Sequence, residues 1–286
     1  MRMAVLFGGL ALIRCAHAPP PSAAPASTSV SANSVGDWLR LRTRAGSVAQ
    51  GEATVLIEQD VIGRQTEAGG ARHVAFEFKF FAEERVVSVD PASSAEFEAR
   101  LRGVVAKGSE ALDPQALKQV AMRLEAMKIH FRLSPQGEAR ALRVDDVAPP
   151  LDDKTARSIA EALYATPHAP MLPQAPVELH ARWQEQVRLP GGLDVEGEME
   201  LRCRYDRREN SIATVVCDGE LTAHKGSGRA MRQVVEKVHA SFDLDVEHGE
   251  WISKSIEQSR QIEENLTVPK PMSVGVRQHV TVKWTR

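Results

Sequence analysis

Strict alternation between apolar and polar residues is the dominant pattern along the chain. A period of two places successive side chains on opposite faces, so each such stretch predicts an antiparallel strand with one face on a core and the other in water. The apolar members of the four clearest stretches are Val74, Phe76, Phe78 and Phe80; Met127, Ile129, Phe131 and Leu133; Val234, Val238, Ala240, Phe242, Leu244 and Val246; and Val274, Val276, Val280, Val282 and Trp284. Turn sequences such as Ser134–Gly137 separate these stretches. The length of the strands favours a broad curved sheet.

Three segments between the strands have apolar residues at helical spacing. The first is Ser93–Lys107, and the third is Asp152–Ala165. The second begins with Asp113 as a capping residue and Pro114 at the first helical position. Their apolar stripes are Phe97, Leu101 and Val104; Leu117, Val120 and Leu124; and Ile159 and Leu163. Together with the strands they predict an α+β fold, in which about three helices pack on one face of a large, half-barrel-like antiparallel sheet.

The first residues of the chain resemble a leader for export. A short apolar core over 4–13 follows Arg2 and ends near Cys15, which is typical of a signal peptide and too short to span a bilayer. We therefore expect a signal peptide over 1–14, lipid attached to Cys15, a Pro/Ala/Ser-rich disordered tether over 15–35, and one mainly-β domain over 36–286. The alternatives are ordinary cleavage after Ala18 or Ala26, with soluble export, or a chain that is not exported.

Composition narrows the classes of function. The formal net charge is -2 and the sequence pI is about 6.5, so there is no electrostatic case for nucleic-acid binding. The sequence contains no metal-binding spacing, no glycine-rich phosphate loop and no nucleophile elbow, and its nine histidines are scattered. We therefore predict no metal, no cofactor and no catalytic residue.

Cys203 and Cys217 are predicted to form a disulfide. If the two strands around them form a hairpin in which paired positions sum to 420, Cys203 lies opposite Cys217 and Arg202 lies opposite Asp218. A shift by one residue would place charges against apolar side chains, so the pattern favours this register. An exported protein meets oxidants, and lipid on Cys15 would leave these two as the remaining thiols. The alternative is a pair of free buried thiols.

The stretch before the second half of the strands resembles a family of uncharacterised bacterial cell-envelope lipoproteins. Members share a segment with the pattern Leu/Phe-Pro-x-x-Pro-Val followed by Trp, which matches Pro173, Pro176, Val177 and Trp183 here. His180 and Ala181 replace the Gly-Asp that the family has before the tryptophan. The resemblance implies an envelope location and transfers no catalytic residue. The layout is also similar to the half-barrel of periplasmic lipoprotein carriers.

These features favour an exported, lipid-anchored protein that faces the periplasm or the exterior. It would bind an apolar ligand or an envelope protein on the concave side of the sheet, and Phe76, Phe78, Phe131 and Phe242 are the candidates to line that groove. One alternative is an envelope hydrolase whose site is built from distant loops. The other is a structural lipoprotein in which these aromatic side chains fill a closed core.

Overall fold

The fold is one large antiparallel sheet. The computed structural model describes residues 36–62, 71–110, 112–149, 151–164, 171–189, 197–225, 231–265 and 272–285. Within these residues eleven strands pair in the order β5-β4-β3-β2-β1-β11-β10-β9-β8-β7-β6. The strands are β1 Val48–Ile62, β2 Ala71–Val89, β3 Ala95–Gly108, β4 Lys128–Leu133, β5 Ala139–Asp145, β6 Arg182–Leu189, β7 Gly197–Glu209, β8 Ile212–Lys225, β9 Met231–Asp245, β10 Glu250–Asn265 and β11 Met272–Thr285. Because β5 and β6 are its two edges, the sheet is open.

The predicted alternation corresponds to strands with one buried face. In β2 the side chains of Val74, Phe76, Phe78 and Phe80 are all buried. The equivalent residues of β4 and β9 also belong to the core. Long strands of this kind arise because each apolar residue packs against the residue opposite it on the neighbouring strand, as Phe78 does with Val55.

The predicted helix over Ser93–Lys107 is wrong, and so is the α+β fold class with about three helices. This segment is strand β3, which pairs with β2 on one side and with β4 on the other. Phe97 and Leu101 have helical spacing, but Ala95 and Ala99 complete a buried series with a period of two. The two alanines contribute little to a hydrophobic pattern, so the prediction rested on the larger residues, whose spacing is helical.

Two helices occur among the described residues, and both lie against the sheet. Helix α1 is Pro114–Ala126, and the Asp113 side chain caps it by accepting a hydrogen bond from the Gln115 amide at 2.9 Å. Its buried residues include Val120 and Leu124. Helix α2 is Asp153–Tyr164. The second and third predicted helices therefore exist: α1 begins at Pro114 as predicted, and α2 lies within the predicted Asp152–Ala165.

The opposite face of the sheet is polar. Its charged side chains form pairs between adjacent strands, such as His239 Nδ1 with Asp218 Oδ1 at 2.7 Å, and pairs along one strand, such as Arg202 with Glu200 at 2.7 Å. Pairs exposed in this way contribute little to stability, so burial of the apolar face is the main source of it. Within the described ranges, no helix has the length and apolar character needed to cross a membrane.

Candidate functional site: a cavity on the apolar face of the sheet

A cavity of about 530 Å³ lies on the apolar face, between β2–β4 and β9–β10. This volume is within the range of small-molecule sites, about 300–1,000 Å³. The side chains that line its interior are Glu84, Val86, Phe97, Phe131, Leu133, Tyr164, Phe242, Trp251 and Lys254. Its surface is mainly apolar, with a few polar groups at defined positions, which is the usual composition of a ligand site.

Two groups of aromatic rings line the cavity. Phe131 stacks on Phe97 with ring centroids 5.0 Å apart, and on its other side it stacks on Tyr164 at 4.5 Å. The first contact follows from the register, because Phe97 of β3 pairs directly with Phe131 of β4. The second group is Phe242 with Trp251, whose centroids are 5.7 Å apart. These rings offer rigid apolar surface to a ligand without the loss of much side-chain entropy.

A buried polar cluster lies in the wall of the cavity. Lys254 is 8% exposed, and its Nζ donates a hydrogen bond to the carbonyl of Leu163, in the last turn of α2. The same ammonium is 5.8 Å from the ring centroid of Tyr164. Glu84 interacts with both residues, as a charge near Lys254 and through a hydrogen bond with Tyr164. The lysine thus provides a cation for the C-terminal end of α2, where carbonyl groups lack helical partners.

Burial controls the protonation of this cluster. It lowers the pKa of Lys254 to about 8, although the nearby Glu84 carboxylate opposes the change. Burial, together with the charge and hydrogen bond of Glu84, raises the pKa of Tyr164 well above its ordinary value. At neutral pH the cluster therefore contains a protonated lysine and a neutral phenol beside Glu84.

The position of Lys254 and Glu84 shows that the apolar face is concave here. Along the sheet, Lys254 pairs with Val282, Val282 with Ala53, and Ala53 with Phe80. Glu84 lies four residues further along β2 than Phe80, and β2 is three strand spacings from β10. In a flat sheet the two backbone positions would be about 19 Å apart. Both side chains nevertheless line the same cavity, as do Phe131 of β4 and Phe242 of β9, so the sheet must curve toward its apolar side.

The mouth of the cavity, where its lining is exposed to solvent, is formed by the segment leading into β1 and the turn between β9 and β10. The amide of Arg42 donates to the carbonyl of Gly249 at 2.8 Å, which joins the two segments. Gly249 has a φ of +71°, and a Cβ there would lie 2.6 Å from the Arg42 amide nitrogen. Glycine is therefore required at this point by both conformation and space. Leu39 and Leu41 are buried and hold the first segment in place.

Two of the four predicted groove residues line the cavity. Phe131 and Phe242 do, and they lie in different walls. Phe76 and Phe78 are buried on the same face of the sheet but contact each other at 5.5 Å in the packed core, away from the cavity. Cys15, the predicted lipidation site, lies outside the described residues.

Cys203 and Cys217 lie directly opposite each other on β7 and β8, in the predicted register, in which the numbers of paired residues sum to 420. Their Cα atoms are 4.1 Å apart, and the structure joins them by a disulfide. Both residues are buried on the apolar face. Gly219, which pairs with Leu201, is enclosed by Leu201 and Met199, so no larger residue fits beside this bridge without movement.

Sequence reasoning missed the polar part of the site. Glu84 is half-buried and follows the buried Phe80 and Ala82 on the inward face of β2, and the buried Lys254 precedes Ile256 by two residues on β10. The available signal for a polar site was a charged residue at a strand position where the period of two requires an apolar one. A second case is Glu236 on β9, which is 1% exposed and pairs with Arg260 of β10 at 2.7 Å.

A larger hollow of about 780 Å³ lies on the polar face of the sheet. Charged and polar side chains line most of it, among them Asp218, His239 and Glu257. His239 pairs with Asp218, and His279 pairs with Glu257 at 3.5 Å. Exposed pairs of this kind are common on a solvated sheet face, so we place the candidate site in the smaller cavity, which has aromatic rings on two sides.

Comparisons with known proteins add little. No protein-family model matches the chain, and no curated protein matches it. Among solved structures, DynF from the dynemicin biosynthesis pathway of Micromonospora chersina is similar over 90% of this chain and 92% of its own, with 11% identity and a TM-score of 0.23. This likeness is too slight to support the fold or a function. The described residues contain no group of three or more histidine, cysteine or acidic side chains suited to hold a metal.

Proposed function

We propose that this protein is an exported, lipid-anchored protein of the bacterial cell envelope that binds an apolar ligand in the cavity between β2–β4 and β9–β10. The observation that carries the binding part is the cavity itself, which is about 530 Å³ and has aromatic rings on two sides. The cavity is partly open to solvent, and an apolar ligand in it would remove these aromatic rings from water. The location rests on the leader-like sequence before Cys15 and on the resemblance to envelope lipoproteins.

Binding can be tested with Nile red, an uncharged dye whose fluorescence rises in apolar surroundings. We expect saturable binding to the purified protein. The variant Ala49→Trp should weaken it at least about tenfold, because Ala49 lines the cavity and a tryptophan side chain would fill much of the space. Ala75→Trp is the matched control, because Ala75 is half-buried on β2 with its side chain on the other face of the sheet. Absence of binding, or equal loss in both variants, would contradict a ligand site in the cavity.

The membrane anchor is tested separately at Cys15. We expect the protein made in a bacterial host to fractionate with membranes and to carry an acylated N-terminal cysteine, visible by mass spectrometry. A single acyl chain binds membranes only weakly, so two or more chains are expected. Cys15→Ser should move the protein to the soluble fraction. An N-terminus at a later residue would contradict the anchor and leave the binding proposal intact.

A further inference from the structure

We propose that the ligand is an amphiphile with an uncharged polar end, such as a long-chain alcohol or carbonyl compound, and that this end lies against Lys254, Glu84 and Tyr164. This inference rests on the proposed binding function and specifies the class of ligand. The aromatic walls would hold the apolar chain, and the polar cluster would receive the hydroxyl or carbonyl oxygen.

The charges around the cavity balance. Inside it, the ammonium of Lys254 is opposed by the carboxylate of Glu84. At the mouth, Arg42 and Glu250 contribute one charge of each sign, and His248 is paired with Asp245. A ligand carboxylate beside this cluster would gain attraction to Lys254 but meet repulsion from Glu84, and it would still lose its hydration. A ligand ammonium would be attracted to Glu84 but repelled by Lys254, and it would also lose its hydration. An uncharged end therefore enters the cavity at the lowest cost in free energy.

The cluster supplies hydrogen bonds that suit an alcohol or a carbonyl. The Lys254 ammonium has three donors; the Leu163 carbonyl accepts from it, and the lysine has further interactions within the protein. The Tyr164 hydroxyl interacts with Glu84 and retains the capacity to take a second partner. A hydroxyl can donate to Glu84 and accept from Lys254, while a carbonyl can accept from Lys254. Both meet the rule that buried polar groups are satisfied.

Capping of α2 explains why Lys254 is present but leaves the cavity next to it unexplained. A lysine that served only to hold α2 would stabilise the protein equally well with the surrounding space filled by side chains. Here the lysine, the carboxylate and the phenol all line the same cavity as Phe131 and Phe242. The test must therefore measure a preference among ligands, since a structural role alone would not change that preference.

The experiment is displacement of Nile red from the full-length protein by three ligands with the same chain: dodecanol, dodecanoate and dodecylamine. For the wild-type protein at neutral pH we expect dodecanol to displace the dye at a concentration at least about tenfold lower than either charged ligand. Glu84→Gln leaves the positive charge and should shift the preference toward dodecanoate by about tenfold. Lys254→Met leaves the negative charge and should shift it toward dodecylamine. Lys237→Met, on the polar face and paired with Glu220, should change neither.

The outcomes separate this inference from the binding proposal. If dodecanoate or dodecylamine displaces the dye from the wild-type protein as well as dodecanol does, the uncharged class is wrong although the cavity binds. The same conclusion follows if Glu84→Gln leaves the order of the ligands unchanged. If the dye itself does not bind, the binding proposal fails first. The wild-type ranking requires no substitution, so it decides the question even where a variant does not fold.

Discussion

Alkaline pH should stabilise this protein through Lys254. Burial holds the pKa of this lysine at about 8 in the folded chain, against 10.5 in an unfolded one. Between these values the unfolded chain binds more protons than the folded chain, so the free energy of unfolding rises with pH. Below about pH 8 the full cost of keeping the charge buried is present. It is removed as the lysine loses its proton.

The size of the effect follows from the two pKa values of Lys254. Integration from neutral pH to about pH 9.5 gives a gain of about 2 kcal/mol in the free energy of unfolding. Tyr164 sets the upper limit of the useful range. Burial raises the pKa of Tyr164 in the folded state above its ordinary value of about 10, so its ionisation in the unfolded chain begins to lower stability near that pH. Measurements should therefore stop at about pH 9.5.

The assay is urea denaturation at a series of pH values between 7 and 9.5, followed by tryptophan fluorescence, for the wild-type protein and Lys254→Met. Other groups titrate over this range, so the informative quantity is the difference between the two pH profiles. We expect the wild-type free energy of unfolding to rise by about 2 kcal/mol relative to the variant. Lys237→Met, whose lysine is exposed in its pair with Glu220, should follow the wild type. Parallel profiles for the wild type and Lys254→Met would refute the argument that the buried lysine is charged at a cost.

Two further predictions concern the sheet itself. Removal of the Cys203–Cys217 bridge by Cys217→Ser should lower the free energy of unfolding by about 3 kcal/mol, the value for a loop of this length; two free thiols in the denatured, unreduced wild-type protein would contradict it. Arg260→Met should cost about 3 kcal/mol, because it leaves the buried Glu236 carboxylate without its guanidinium. Arg202→Met is the control at an exposed pair and should cost less than about 1 kcal/mol. An equal loss in both variants would show that burial of Glu236 does not make its pair with Arg260 more important for stability.

The sequence predicted the strands well where large apolar residues alternate with polar ones. Phe76, Phe78 and Phe80 leave little choice of which face is buried, because a shift by one residue would expose all three. The register between Cys203 and Cys217 was predictable because a shift by one residue would likewise exchange the buried and exposed faces. It also helped that a hairpin pairs residues that are close in sequence. β3 was misread because its buried series alternates large residues with Ala95 and Ala99. Small residues bury little area and so contribute little to either periodicity.

The cavity could not be predicted from the strands alone, because it depends on contacts between parts of the sheet that are distant in sequence. Phe131 and Phe242 were candidates as strand-borne aromatic residues, yet the same reasoning selected Phe76 and Phe78, which pack in the core. What distinguishes the two pairs is their position relative to the curve of the sheet. The curve is set by twist and packing over many strands, which a pattern within one strand does not record.

The charged residues on the apolar face carry the information that the hydrophobic pattern lacks. A charge at an inward-facing strand position is unfavourable unless polar groups contact it, and α2 supplies those contacts through the Leu163 carbonyl for Lys254 and Tyr164 for Glu84. β2 and β10 are separated by β1 and β11, so the two charges can reach the same helix and the same cavity only if the face between them is concave. Two breaks in the alternation, one acidic and one basic, are therefore evidence of curvature when the strand order is known. The need of these side chains for polar contacts places the polar cluster in the wall of the cavity. There its balanced charges favour an uncharged ligand.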